Sequence, residues 1–204
     1  MSRFDEQVFL SRYRSFAQQV LITKRLQASS VLQIGVFSGE VTSLLINEGV
    51  NVFTVDNDAY KKPDKVLDVR DLNVYTGKAY PLIICSRVLA QLQKKELQEI
   101  LYSLYNLTTS HVLLSFPAKY FYADVTIGSL LLQRLTGSHF SSLSLRVPFL
   151  LPHKPLDSYE WVVGTRGSSR KWLAELFVQA GFVVEDDFFV QADVYEYFVL
   201  LKKP

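Results

Sequence analysis

VLQIGVFSGEVTSLLINEGVNVFTVDND, residues 31–58, opens on a short apolar run of strand length at Val31, Leu32 and Ile34. A tight turn with a glycine at each end follows, Gly35 to Gly39, and then Val41, Leu44 and Leu45 recur at helical spacing. Gly49 ends that helix, and a second apolar run closes on Asp56. Strand, glycine turn, helix, strand and acid make one βαβ unit. The glycines let the backbone approach a ligand closely, and the helix behind them offers free N–H groups and a partial positive charge. An acid at the end of the second strand stands where a ribose diol needs acceptors.

Spacing separates the families that use such a unit. A dinucleotide fingerprint needs G-x-G-x-x-G, and here Phe37 stands where its second glycine belongs. A nicotinamide or flavin oxidoreductase on a similar sheet is therefore disfavoured. The stretch instead resembles motif I of the class I S-adenosylmethionine-dependent methyltransferases, of the small-molecule type. That motif reads acid-x-G-x-G-x-G and is followed by an acid closing the next strand. Gln33 matches the first acid, Gly35 the first glycine, Phe37 the middle one and Gly39 the last, with Asp56 in the ribose position. Two positions depart from the pattern. Gln33 keeps hydrogen-bonding capacity but carries no charge, and Phe37 brings a ring to a place that gives backbone room beside the methionine part of the cofactor.

Working outward, Asp5 to Gln27 reads as an amphipathic helix with Phe9, Tyr13, Phe16 and Val20 on one stripe. Residues 1–28 thus form a leading segment expected to cover one face of a sheet. Downstream, Pro63 lies in a polar loop, and Lys65 to Val69 reads as a short strand with an acid at Asp68. Asp68-Val69-Arg70-Asp71-Leu72 resembles the family's D-x-x-x-L segment, which implies an acceptor for the adenine amino group. Tyr80 to Ser86 is a buried strand, Lys94 to Leu107 a helix striped by Leu97, Ile100, Leu101 and Leu104, and His111 to Pro117 a fifth strand. His111, at the start of that strand, lies at the end away from the expected site.

Residues 118–167 break the alternation. They hold Tyr120, Phe121 and Tyr122, a helix expected around Thr126 to Leu135, and an apolar stretch from Val147 to Pro152 flanked by prolines. An irregular insertion after a strand's C-terminal end is commonly functional, and the resemblance implies that it shapes the acceptor pocket. Ser169 caps a helix running to Ala180, and two strands, Phe182 to Val190 and Val194 to Lys202, end the chain around a turn at Gln191 to Asp193. The order of elements implies an α/β, Rossmann-like class I methyltransferase fold. Its sheet would have seven mostly parallel strands with an antiparallel C-terminal strand, and helices on both faces, in a single domain over residues 1–204.

In such sheets ligands lie beyond the C-terminal strand ends, where Gly35, Asp56, Asp68 and Ser86 all fall. The resemblance implies a cofactor site of Gln33, Gly35, Val36, Phe37, Ser38, Gly39, Asp56, Asn57, Asp68, Val69 and Ser86, with S-adenosylmethionine as cofactor. Methyl transfer needs in-line approach, so positioning supplies much of the effect and a general base is optional. Candidate catalytic residues are His153, Tyr159 and Glu160. Asp157 to Trp161 resembles a family segment that often reads His-x-Trp, with Tyr159 in the place of the histidine. A lone loop histidine such as His153 or His139 also reads as a surface residue, and Trp161 and Tyr159 equally read as anchors of the loop on the core.

Composition sets the bounds. The chain has 204 residues, 49% hydrophobic and 21% charged, as globular proteins do. A net charge of +2 gives no reason to expect nucleic acid, and no apolar run is long enough for a membrane span. With one cysteine, Cys85, and three histidines, no disulfide framework or metal site is expected. The expectation is a cytoplasmic methyltransferase acting on a small or medium-sized acceptor. The alternative is a non-catalytic binding or scaffold protein on the same fold with a degenerate cofactor site at Gln33 and Phe37, its cleft filled by Phe37.

Overall fold

In a computed structural model of the chain, residues 6–75, 78–128, 140–149, 159–190 and 196–204 are described. Helix α1 (Glu6–Arg25) leads into β1 (Ser30–Ile34), α2 (Glu40–Asn47) and β2 (Asn51–Asp56). β3 (Lys65–Val66), β4 (Tyr80–Ser86), α3 (Leu97–Leu107) and β5 (Thr108–Pro117) follow. A hairpin of β6 (Tyr120–Gly128) and β7 (Phe140–Pro148) precedes α4 (Arg170–Gln179), β8 (Val183–Phe189) and β9 (Glu196–Lys202).

Seven strands form one sheet in the order β3-β2-β1-β4-β5-β9-β8. β1 pairs in parallel with β2 and β4, and β9 runs antiparallel to both β5 and β8. The chain moves outward from β1 to β2 and β3, then crosses back to β4 on the other side of β1. A crevice therefore opens above the C-terminal ends of β1 and β4, because the connections on either side leave in opposite directions.

Strand residues alternate between two apolar layers, as a sheet buried on both faces requires. Leu32, Ile83, Cys85, Val112 and Leu114 pack beneath α3 and α4, against Ile100, Leu104, Leu173 and Phe177. Val31, Leu82, Ile84 and Leu113 face the other way, against Phe16 and Ile22 of α1 and Val41 and Leu45 of α2. Helices thus cover both faces, as expected.

Several local expectations change. The buried face of α1 is Ser15, Phe16, Gln19, Ile22 and Thr23, whereas Tyr13 is 46% exposed and sets the edge of its ring against Phe16. Only Lys65–Val66 is strand; Asp68 then caps a 3-10 turn over Val69–Val74, its carboxylate accepting the Arg70 amide at 2.9 Å. An Asp so placed offers its own backbone a bond that competes with a ladder. The helix expected from Lys94 starts with one 3-10 turn, locked by the Gln93 amide donating to Glu96 at 2.8 Å, and becomes α-helical at Leu97. The helix expected around Thr126 is instead strand through Gly128, paired with β7 across Thr126 and Ser142. Val125, Thr126 and Ile127 are β-branched and favour that extended pairing. The rest of that expected helix, His139, His153 and the turn at Gln191 to Asp193 lie outside the described residues.

Candidate active site

A cleft of about 540 Å³ opens at the C-terminal ends of β1, β2 and β4. Its floor begins at the glycine turn. Gly35 has φ +84°, and a Cβ there would lie 2.5 Å from Val88 Cγ2, so only glycine fits between the turn and the segment after β4. Gly39 is also left-handed, at φ +85°, where it caps α2. Between them Phe37 takes φ +53°, a region that glycine enters without strain and phenylalanine does not. The ring nevertheless stays out of the cleft interior: it is 56% exposed, leaning on Phe16 and lying beneath the Arg12 guanidinium at 5.0 Å.

Asp56, at the end of β2, is 5% exposed and holds the turn from the side. Its Oδ2 accepts the Val36 amide at 2.7 Å, its Oδ1 accepts the Asp58 amide at 2.9 Å, and Lys61 Nζ approaches Oδ2 at 3.2 Å. Lys61 Nζ also lies 3.4 Å from Oδ1, so it bridges both oxygens, and a ligand hydroxyl would compete with the lysine for them. Asn57 and Lys61 line the cleft beside it. Asp68 and Val69 line it one strand further out, with Asp68 also paired to Arg70 at 3.1 Å. Gln33 lines the cleft too, but its amide is engaged: Oε1 accepts the Thr42 hydroxyl at 2.8 Å, and Nε2 donates to the Gly35 carbonyl at 3.5 Å. The residue that replaces the motif's acid therefore ties α2 to the turn.

On the other side of β1 the cleft is lined from the ends of β4 and β9, with Ser115 of β5 behind them. Ser86 Oγ and Ser115 Oγ are 2.7 Å apart, and Ser115 donates to Glu196 Oε1 at 2.5 Å. Glu196 is 4% exposed and lines the cleft with Ser86, Arg87 and Tyr159. α1 contributes Arg12, Ser15, Phe16 and Gln19 as a further wall, so it covers the sheet and borders the cleft at once.

Most of the residues read from the sequence converge here: Gln33, Gly35, Val36, Phe37, Asp56, Asn57, Asp68, Val69, Ser86 and Tyr159 all line one cleft. Ser38 and Gly39 shape the turn without facing it; Ser38 is exposed and donates its hydroxyl to Glu40. Glu160 is not brought to the cleft. It is exposed, and its amide donates to the Ala90 carbonyl at 2.9 Å. Trp161 is a core residue, 2% exposed, donating from Nε1 to the Leu92 carbonyl at 3.0 Å and packed against Phe116 and Trp172. His111 bonds Ser110 and Glu185 near the opposite end of β5. Cys85 is buried, and burial pushes its thiol up to about 12, so it carries no thiolate near neutral pH. Among the described residues no group of His, Cys, Asp and Glu side chains could hold a metal ion.

Sequence reasoning missed Arg87, Glu196, Ser115 and the wall supplied by α1. Arg87 directly follows the recognised strand end at Ser86, so its position was legible; Glu196 comes from the far end of the chain and meets Ser86 only through the pairing of β9 with β5.

Strand order, glycine turn and acids at strand ends are the features of one fold. The chain has the class I methyltransferase fold. It is similar over its whole length to magnesium protoporphyrin IX methyltransferase (ChlM) from Synechocystis PCC 6803, solved with SAH bound: TM-score 0.64, 14% identity, with 90% of that chain covered. It is also similar to the glycopeptide N-methyltransferase MtfA with bound SAH, at TM-score 0.61 and 13% identity, over 95% of this chain and 89% of that one. The N-methyltransferase NodS from Bradyrhizobium japonicum WM9 aligns at TM-score 0.55 and 12% identity, over 93% of this chain and 97% of that one. No family model matches the sequence, and no curated protein sequence matches it. Within this methyltransferase fold the β6–β7 hairpin stands apart as a two-stranded sheet of its own. No helix among the described residues is long and apolar enough to cross a membrane.

Proposed function

We propose that the protein is an S-adenosylmethionine-dependent methyltransferase acting on a small or medium-sized acceptor. The observation that carries this reading is the cleft itself: a turn that admits only glycine at Gly35, between carboxylates at Asp56 and Asp68 on one side and a polar floor at Ser86 on the other. Asp56 and Asn57 supply hydrogen-bonding groups for a ribose diol, and Asp68 supplies an acceptor for an exocyclic amine beside the buried Val69. SAM or SAH is bound in solved proteins of this fold, ChlM and MtfA among them, which supports the same cofactor here. When bound, that cofactor supplies an electrophilic methyl group on a sulfonium.

The acceptor side lies between β4 and β9. Tyr159, from the insertion over residues 118–167, forms part of this wall, which supports a role for that insertion in shaping the acceptor pocket. Glu196 is the carboxylate placed to take the proton that an O–H or N–H acceptor loses, directly or through Ser115 and Ser86. The non-catalytic alternative requires Phe37 to fill the cleft; its ring is instead at the rim over an open space.

Calorimetric titration with S-adenosylmethionine and S-adenosylhomocysteine tests the reading. Micromolar binding of either ligand by the wild type, weakened in Asp56→Asn, is the expected result. A folded protein that takes up neither ligand overturns it.

A further inference from the structure

Four cationic side chains reach the cleft, and they differ in what neutralises them. Lys61 is paired with Asp56, and Arg70 is paired with Asp68 and Glu96. Arg12 is exposed on α1, over the Phe37 ring. Arg87 has no ion pair with any described carboxylate, Glu196 included, although it shares the acceptor wall with that residue. Its Nε is buried and has no hydrogen-bond partner. Its guanidinium lies 5.3 Å from the centre of the Tyr159 ring, a stacking that holds the fork in place without using its N–H groups.

The backbone adds a further observation. Arg87 takes φ +59°, a conformation strained for arginine, immediately beyond β4, and its amide is held by the Ser115 carbonyl at 2.9 Å. The strand end is thus bent and pinned so that a charged side chain projects at the cleft beside Ser86. A buried guanidinium N–H left without an acceptor is costly, and a planar fork over an aromatic ring matches a carboxylate or phosphate.

We propose that Arg87 is the specificity residue for the acceptor, and that the acceptor is a small anion carrying a carboxylate or phosphate on an aromatic or otherwise planar body that packs beside Tyr159. This rests on the methyltransferase reading for its division of the cleft. The ribose- and amine-binding acids are on β2 and beyond β3, whereas Arg87 is across β1 with Ser86 of β4 and Glu196 of β9.

The test uses S-adenosylhomocysteine-loaded protein and ligand-observed NMR with benzoate, phenyl phosphate and the neutral benzamide at millimolar concentration. Arg87→Asn is the variant, since asparagine tolerates the left-handed backbone, with the melting temperature as the check on folding. The expected result is binding of at least one anion but not benzamide, weakened about tenfold or more in Arg87→Asn. Benzoate against phenyl phosphate then tells carboxylate from phosphate. The proposal is overturned if neither anion binds, if benzamide binds as well as benzoate, or if the variant binds the anions as the wild type does. It is also overturned if Arg87→Asn weakens S-adenosylhomocysteine but not 5′-methylthioadenosine, for the arginine would then hold the cofactor's own carboxylate. Should the wild type bind no S-adenosylhomocysteine, the methyltransferase reading fails separately, and the same anion comparison on unloaded protein still decides Arg87. A misfolded variant leaves the wild-type contrast between anions and benzamide to decide it.

Discussion

The Asp56 carboxylate accepts the Val36 amide at 2.7 Å, which ties the end of β2 to the turn that follows β1. One side chain therefore shapes the turn and lines the cleft at the end of β2. The two roles separate on substitution. Asp56→Asn keeps an oxygen for the Val36 amide but loses the charge opposite Lys61, whereas Asp56→Ala removes both. We expect S-adenosylhomocysteine affinity to fall about tenfold or more, ~1.4 kcal/mol, in each variant. Thermal denaturation should show Asp56→Ala to be the less stable of the two, because it leaves a buried amide unpaired. Equal melting temperatures would mean that the Val36 bond contributes nothing to the turn.

Phe37 sits where the motif has a glycine and takes a left-handed backbone conformation, φ +53°, that favours glycine. Phe37→Gly relieves a left-handed strain of about 1–2 kcal/mol. It gives back ~0.4–1 kcal/mol through a freer unfolded chain and a further ~0.5–1 kcal/mol in the contact with Arg12. Stability measured in urea should thus stay close to that of the wild type. Cofactor affinity should also change little, because the ring stands at the rim. If Phe37→Gly instead bound S-adenosylhomocysteine that the wild type refused, the ring would be a plug and the non-catalytic reading would stand.

The two glycines of the turn predict opposite sensitivities. At Gly35 an added methyl meets Val88 Cγ2 at 2.5 Å, so Gly35→Ala adds a clash to the cost of the left-handed backbone. At Gly39 nothing lies within 4 Å of the added atom, and only the backbone cost of about 1–2 kcal/mol remains. Urea denaturation should therefore rank Gly35→Ala as the more destabilising, and Gly35→Ala should also narrow the cleft and weaken cofactor binding. The reverse order would show that Val88 moves aside freely.

The glycine turn, Asp56 and the alternating strands were legible because each is a local pattern: a period, a spacing, or an acid after an apolar run. The β6–β7 hairpin was not, since a short stretch such as Val125-Thr126-Ile127 fits either period and its partner β7 lies beyond the intervening segment. The turn at Asp68 was read as strand because the carboxylate's bond to the Arg70 amide decides it, and apolar spacing carries no trace of that bond. Arg87 and Glu196 were missed for a different reason. Arg87 matters because no described carboxylate pairs with it, and Glu196 because β9 runs back along β5; both are facts of tertiary pairing. Gln33 shows the converse. Its identity departs from the motif, yet its bonds to Thr42 and Gly35 give it a task at the same place.

Burial of Cys85 in the sheet makes stability fall in alkali. The thiol is pushed up to about 12 by desolvation, while in the unfolded chain it titrates near 8.5. Above about pH 8.5 the unfolded state has therefore released a proton that the native state keeps. Stability contributed by the neutral thiol is complete below that pH and is lost as pH rises toward the native value. The slope from this one group approaches ~1.4 kcal/mol per pH unit. Buried Tyr80 and Tyr197, whose hydroxyls are also pushed upward, add the same sign of slope above about pH 10. Urea midpoints measured between pH 8 and pH 10 should thus decline in the wild type and decline less in Cys85→Ala, even though the variant starts lower for want of the sulfur's packing. Parallel declines in the two proteins would place the alkaline loss elsewhere than at Cys85.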